Sequence, residues 1–528
     1  MTDCTALVET PDGPLLGTRD GSLDAFLGIA YALPPVGERR WRPPVPVPPW
    51  TETRRADAFG PACWQPKPRT GSIYAERYAQ MSEDCLSLNI WAPTHAKDAP
   101  VLVWFHGGAL VTGSSCDSIC HGAALARLGV IVVSINYRLG IFGYLAHPSL
   151  SAESADDVSG NYGLLDQIEA LRWVRRNIAA FGGNPDDVTI AGESAGALSV
   201  LFLMACPAAR GLFAKAIAQS AYMISMPELK TPRHGHEAAE VAGTRFCRQV
   251  GCDTIDELRE WDADRLNAAA AEQLFETWGT IDGVILPRQL IDTFERGEQA
   301  PVPVLAGFNS GEIRSIRFLA PDVPQDQSTY EPAIRERYGD LADEYLRLYP
   351  PHPLEESLLA ATRDAMYGWT AERIVAGQTA LGQSSFLYLF DHTYPEADRL
   401  GLHAFHAGEL PFVFGSLQQP PMHWPKIEDS AAERAMSDAM MHYWVAFATH
   451  GSPDVPDLPQ WHPYADRRSY MAFQDRPRPD VHLFPGAFEL NDEVIRRRRA
   501  GGNIPWNWNV GLNAPLRQFA GGVEANRS

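Results

Sequence analysis

The chemistry in this chain starts at Gly192-Glu193-Ser194-Ala195-Gly196. It follows the apolar run Val188-Thr189-Ile190-Ala191 and precedes the apolar stretch Leu198 to Met204. A serine between two glycines at a strand-to-helix turn is lifted clear of the sheet. Larger flanking side chains would strike neighbouring backbone. The helix that follows turns its first N–H groups, and the positive end of its dipole, toward the reacting oxygen. Ser194 is therefore a candidate nucleophile. The bland alternative is a serine in a tight glycine turn without chemistry.

A nucleophile that attacks a carbonyl needs donors for the negative oxygen of the tetrahedral intermediate. Phe105-His106-Gly107-Gly108-Ala109 directly follows the apolar run Val101 to Phe105. Small residues there let backbone N–H groups converge without obstruction. The expected oxyanion donors are the N–H groups of Gly108, Ala109 and Ala195, with Gly107 supporting the turn. The competing reading is a plain glycine turn after a strand. No cofactor is required by this chemistry.

The elements that must position these groups are legible as short apolar runs. Besides those two, Val130 to Ile135, Val302 to Ala306 and Phe386 to Phe390 read as buried strands. Leu164, Ile168, Leu171, Val174, Ile178 and Phe181 recur at helical spacing between the second and third of the runs. All-apolar strands alternating with amphipathic helices predict an α/β protein with a mostly parallel sheet flanked by helices. Residues from about 313 to 385 read mostly helical, as an insertion beside the sheet. No linker or repeat interrupts the chain, so one domain over residues 1–528 is expected.

Composition narrows the partners. Forty-five Lys and Arg against 65 Asp and Glu give a net charge of −20, which opposes nucleic acid and acidic membrane surfaces. The run Arg497 to Arg499 is expected to be a solvated basic turn. The start, Met1-Thr2-Asp3-Cys4, lacks a basic segment followed by an apolar one, and no apolar run is long enough to span a membrane. These features predict a cytoplasmic protein. Eight cysteines stand at 4, 63, 85, 116, 120, 206, 247 and 252. Their spacing lacks the Cys-x-x-Cys pairs of structural zinc, so no metal is expected.

Further motifs surround these sites. They include Phe26 to Ala32 with Pro34-Pro35-Val36-Gly37 and Arg40-Trp41, then Ser82-Glu83-Asp84-Cys85-Leu86-Ser87-Leu88-Asn89-Ile90. Asn136-Tyr137-Arg138, Gly160-Asn161-Tyr162-Gly163-Leu164 and Phe181-Gly182-Gly183-Asn184-Pro185 lead into the serine turn. Together they resemble the type B carboxylesterases, bacterial-type enzymes and cholinesterases among them, within the α/β-hydrolase fold. The match is dense from about residue 8 to 220 and patchier to about 415. The resemblance implies a serine esterase with large helical insertions near its active site, acting on a small-molecule ester.

It also implies a triad in the order serine, acid, histidine. The family acid lies in a Gly-x-Asn-x-x-Glu context, here Gly307 to Glu312. The family histidine precedes a Phe-Val-Phe-Gly segment, here His406 before Phe412-Val413-Phe414-Gly415. His406 would take the serine proton and Glu312 would orient the imidazole. His403 stands three residues away as the competitor for the base. Two departures mark this chain: Gly107-Gly108-Ala109-Leu110 replaces three glycines and an aromatic, and His-Ala-Gly-Glu replaces His-Gly-x-Glu. Relatives usually pair the cysteines matching Cys63 and Cys85, and a second pair corresponds to Cys247 and Cys252; compartment decides whether either bond forms. Carbamates, amides and bulky xenobiotic esters suit the same machinery, and the opposing class is a non-catalytic binding relative.

Overall fold

The computed structural model describes residues 4–506 and 509–516. Its strands are β1 (Cys4–Glu9), β2 (Pro14–Asp20), β3 (Leu23–Ala30), β4 (Arg54–Arg55), β5 (Ser87–Pro93), β6 (Ala99–Phe105) and β7 (Ile131–Ile135). They continue with β8 (Gly183–Glu193), β9 (Lys215–Gln219), β10 (Val304–Asn309), β11 (Ser385–Phe390), β12 (Ser469–Phe473) and β13 (Pro477–Val481). One sheet holds them in the order β1-β2-β3-β5-β7-β6-β8-β9-β10-β11-β12-β13, with β4 on β2. From β7 through β12 along that order every pairing is parallel; the flanks are antiparallel except for the short parallel pair β2–β4.

Both faces of the sheet are covered, which explains the unbroken apolar runs. Val101, Val103 and Phe105 of β6 join one core cluster, whereas Leu102 and Trp104 join the other. β11 divides likewise, with Leu387 and Leu389 on one face and Phe386, Tyr388 and Phe390 on the opposite face. The two-residue alternation of a strand thus feeds two cores at once. Helix Tyr162–Asn177 packs on the first face and helix Ala431–His450 on the second. None of the helices among the described residues is long and apolar enough to cross a membrane.

Two local expectations differ from the structure. The helical spacing from Leu164 to Phe181 spans two elements, because the α-helix ends at Asn177 and Ile178–Phe181 is a 3₁₀ turn closed by Gly182 at φ +84°. Glycine adopts that left-handed conformation without a Cβ penalty, so the chain can leave the helix for β8 there. Nor is Arg497 to Arg499 a solvated turn. It lies in helix Ala487–Gly501, with Arg497 on Asp340 and Glu493 and Arg499 on Asp292 and Glu295. Arg498 is buried and donates to Asn509. Asp340, Asp292 and Glu295, from distant segments, hold the Arg497 and Arg499 guanidiniums.

The order of the strands fixes where a site can form. From β6 the chain moves outward to β7, then crosses back to β8 on the other side of β6. At such a reversal the connecting loops diverge and leave a crevice at the carboxyl ends of the strands. The Gly107-Gly108 loop leaves β6 at that end and Ser194 leaves β8 beside it; Phe105 pairs with Gly192. Glu312 follows β10 and His406 follows β11, at the same edge of the sheet. Between β10 and β11 lie helices Tyr330–Tyr338, Ala342–Leu348, Leu354–Arg363 and Trp369–Ala380. The first three share a core of Tyr330, Ile334, Tyr338, Tyr345, Leu354 and Leu358.

Candidate active site

Ser194 occupies φ +55°, ψ −121°, between β8 and helix Ala195–Ala205. That conformation is strained for any residue with a Cβ, and the surroundings hold it in place. The Ser194 N–H donates to the Gln219 carbonyl at 2.9 Å, and the Ser194 carbonyl accepts from the Leu198 N–H at 2.9 Å. A Cβ at Gly192 would stand 2.4 Å from the Gly196 carbonyl carbon, and one at Gly196 only 2.0 Å from the Phe105 oxygen. Both flanking glycines are therefore steric requirements of the turn. Ser194 is half-buried, whereas Gly192, Glu193, Ala195 and Gly196 are buried.

The loop after β6 abuts the serine. A Cβ on Gly107 would lie 3.3 Å from Ser194 Cβ. Gly108 and Ala109 hold φ +99° and +57°, and among the described residues their N–H groups meet no protein acceptor. Ala195 is the first residue of its helix, where an N–H has no intrahelical carbonyl to meet. The loop is rigidly backed: Tyr137 donates to the His106 carbonyl at 2.8 Å, and His106 donates through Nδ1 to the Gly107 carbonyl at 2.9 Å. Burial holds the His106 imidazole down at about 4, so it stays neutral.

Glu312 is fully buried and saturated. Its Oε1 accepts from the Asn309 N–H at 2.8 Å and from the Ser220 hydroxyl at 2.6 Å. Its Oε2 is hydrogen-bonded to His406 Nδ1. Against a carboxylate that nitrogen carries the hydrogen, which leaves Nε2 of the neutral ring as an acceptor. His403 points away, its Nδ1 2.7 Å from Asp398 and its side chain nearly half exposed. The structure thus brings His406 to Glu312 and leaves His403 at the surface.

Several neighbours were not singled out in the sequence, though Glu409 ends the His-Ala-Gly-Glu segment and Glu193 lies within the serine motif. Ser220 begins the segment after β9, and nothing in its local sequence points to Glu312. Glu409 is buried with the Gln219 and Asn309 amides on its two oxygens, at 2.9 and 2.6 Å. Glu193, hidden inside the serine motif as its variable position, sends Oε1 to 3.2 Å from His406 Nε2. Tyr367, set in the π-helical turn Asp364–Gly368, lies 5.3 Å from the His406 ring, and Tyr222 lies 6.1 Å beyond it.

The glutamates govern the charge on the imidazole. Burial alone would lower the His406 pKa, but Glu193 first, then Glu312, overcome it and push it up to about 9. Glu193 itself is pushed up to about 8 by burial, with His406 opposing. The two titrate as a pair, and both retain protons above their ordinary ranges. His406 acting as a general base would have to be neutral, and that role predicts a kcat/KM that climbs as pH rises toward 9. In Glu193→Gln the largest raising contribution disappears while burial remains, so the acid limb of kcat/KM should move toward neutral pH. A pH–rate series on both enzymes reads this directly; superimposable profiles would remove Glu193 from the electrostatics of the base.

Among the described residues no group of three or more His, Cys, Asp and Glu side chains could hold a metal ion. Cys63 and Cys85 lie against each other as thiols; their hydrogen bond, followed by burial, raises the Cys85 pKa. Cys247 and Cys252 are also thiols.

Comparison with known proteins agrees on one family. The model of the carboxylesterase family matches residues 5–484. Fumonisin B1 esterase of Sphingopyxis macrogoltabida is 36% identical over 492 residues, which cover 90% of this chain and 87% of that protein. Para-nitrobenzyl esterase of Bacillus subtilis (strain 168) is 36% identical over 473 residues, covering 86% and 92%. A crystal structure of a Geobacillus stearothermophilus carboxylesterase superposes with a TM-score of 0.78 at 34% identity, over 92% of this chain and 99% of that one.

Proposed function

The chain belongs to the carboxylesterase family, with the α/β-hydrolase fold, and is a carboxylic ester hydrolase; we propose that it works through a Ser194–His406–Glu312 triad and an acyl-enzyme. The observation that carries this reading is the buried His406–Glu312 hydrogen bond set beside a strained serine turn.

In the proposed reaction His406 Nε2 takes the Ser194 proton as Oγ attacks the ester carbonyl. The imidazolium so formed is stabilised by Glu312, whose other oxygen is already held by Asn309 and Ser220. The N–H groups of Gly108, Ala109 and Ala195 receive the oxyanion. Each such donor is worth on the order of a hundredfold in rate or more. His406 then hands its proton to the departing alkoxide, and a water deprotonated by the same imidazole releases the acid. The substrate class proposed is small-molecule carboxylic esters, with Tyr367 and Tyr222 as the aromatic neighbours of His406. Carbamates and bulky xenobiotic esters are served by the same atoms.

An acyl-enzyme gives a kinetic signature. With p-nitrophenyl acetate the first turnover should release one equivalent of p-nitrophenol per enzyme, and acid-quenched protein should carry one acetyl group. Extending the acyl chain stepwise then reads the depth of the pocket. A linear time course whose quenched enzyme never gains mass would contradict covalent catalysis.

A further inference from the structure

One contact to the base plays no part in the proton transfers. Cys63 to Leu86 contains no regular helix or strand, and half-buried Tyr74 sits within that strap. The Tyr74 hydroxyl lies 2.8 Å from the backbone carbonyl of His406 and 2.7 Å from Ser315 Oγ. A carbonyl only accepts and a phenol has a single hydrogen, so Tyr74 donates to His406 and accepts from Ser315. Ser315 closes the short helix Glu312–Ser315 that opens with the triad acid. One hydroxyl therefore bridges the two segments on which the imidazole and its carboxylate are mounted.

The rest of the strap is fastened so that this bridge is held. The Tyr74 ring stands edge-on to Trp424, 5.9 Å between centroids. Tyr78 donates to Asp117 at 2.8 Å, and Ser118 donates to Glu76 at 3.3 Å. Gln65 clasps Gly113, accepting from its N–H at 2.9 Å and donating to its carbonyl at 3.0 Å. Gly113 lies five residues beyond Gly108, so the strap joins the oxyanion loop to the histidine segment.

We propose that Tyr74 is a positioning residue for ester hydrolysis, setting the spacing and angle between His406 and Glu312 through its bridge from the His406 carbonyl to Ser315. The inference rests on the Ser194–His406–Glu312 reading. His406 lies outside any helix or strand; its neighbour Phe405 makes an isolated bridge to Gly311, and the His406 carbonyl itself is held by Tyr74. A side-chain bond to its own carbonyl is thus a direct restraint on the ring. Displacing a catalytic group by about 1 Å can cost on the order of a hundredfold, so partial slackening costs less.

The test compares Tyr74→Phe, Ser315→Ala and the double variant with the wild type. Readouts are kcat and KM for p-nitrophenyl acetate, the thermal midpoint, and the low-field proton NMR signal of the His406 Nδ1 hydrogen. Tyr74→Phe should lower kcat about tenfold with KM changed less than twofold, and should shift or broaden the Nδ1 signal. Ser315→Ala should lose less, because the donor to His406 survives, and the double variant should match Tyr74→Phe. An unchanged kcat in Tyr74→Phe overturns the proposal, and so does a loss with an unmoved Nδ1 signal and a lowered midpoint, which marks packing alone. Fluorophosphonate labelling of the wild type separates the two levels. Absence of a Ser194 adduct brings down the triad, whereas a normal adduct with an unaffected Tyr74→Phe brings down the positioning role only.

Discussion

Ser194→Ala should lower kcat for p-nitrophenyl acetate by on the order of 10⁵ to 10⁶, with the thermal midpoint almost unmoved. The size of the loss follows from removing the atom that forms the covalent bond, which leaves only binding and the oxyanion donors. The small effect on stability follows from the turn itself. Its anchors are the backbone bonds from Ser194 N–H to Gln219 and from Leu198 to the Ser194 carbonyl. Alanine keeps both, and at φ +55° it meets the same Cβ strain as serine. Steady-state assay and thermal melts of the purified variant check both halves. A variant that still shows a stoichiometric burst would place the nucleophile elsewhere.

His406→Ala should be nearly as severe in kcat, again on the order of 10⁵, but unlike the serine change it should also destabilise the fold. Glu312 is fully buried; without the imidazole its Oε2 loses its partner, while Oε1 keeps Asn309 and Ser220. Breaking a buried charge pair from one side costs about 3 kcal/mol or more, visible in a denaturant titration. His403→Ala is the control. That ring pairs with Asp398 at the surface, and exposed pairs contribute about 1 kcal/mol or less, so kcat should stay within twofold of wild type. A large loss in His403→Ala with an active His406→Ala would transfer the base to His403.

The contrast between these two histidines shows what a sequence can carry. The serine turn and the glycine loop are local: Gly192 and Gly196 are demanded by contacts within the turn and with β6, so their identity announces the geometry. The parallel strands are equally plain, because two apolar faces leave unbroken runs such as Val101 to Phe105. His403 and His406 differ in nothing that composition or periodicity records. They stand in an irregular turn, where a three-residue step does not put two side chains on one face, and only packing sends one inward.

Distance in the chain hides the rest. Ser220 meets Glu312 across 92 residues, Glu193 meets His406 across more than two hundred, and Tyr74 reaches the His406 carbonyl across 332. Ser220 and Tyr74 have no motif and Glu193 fills only the variable position of one, since each contact exists only after folding. Glu193 was the nearest to visible, lying next to Ser194; its buried direction is set by β8, not by its neighbours. The same reason accounts for Arg497 and Arg499, whose partners Asp340 and Asp292 come from remote helices.

The most direct test of the account is the mass of the protein after reaction with a fluorophosphonate, followed by peptide mapping. Covalent attack by an activated serine predicts one adduct per chain, located on the peptide holding Ser194, absent from Ser194→Ala and formed far more slowly by His406→Ala. An adduct at another residue, or unmodified wild-type protein that still hydrolyses p-nitrophenyl acetate, would contradict it.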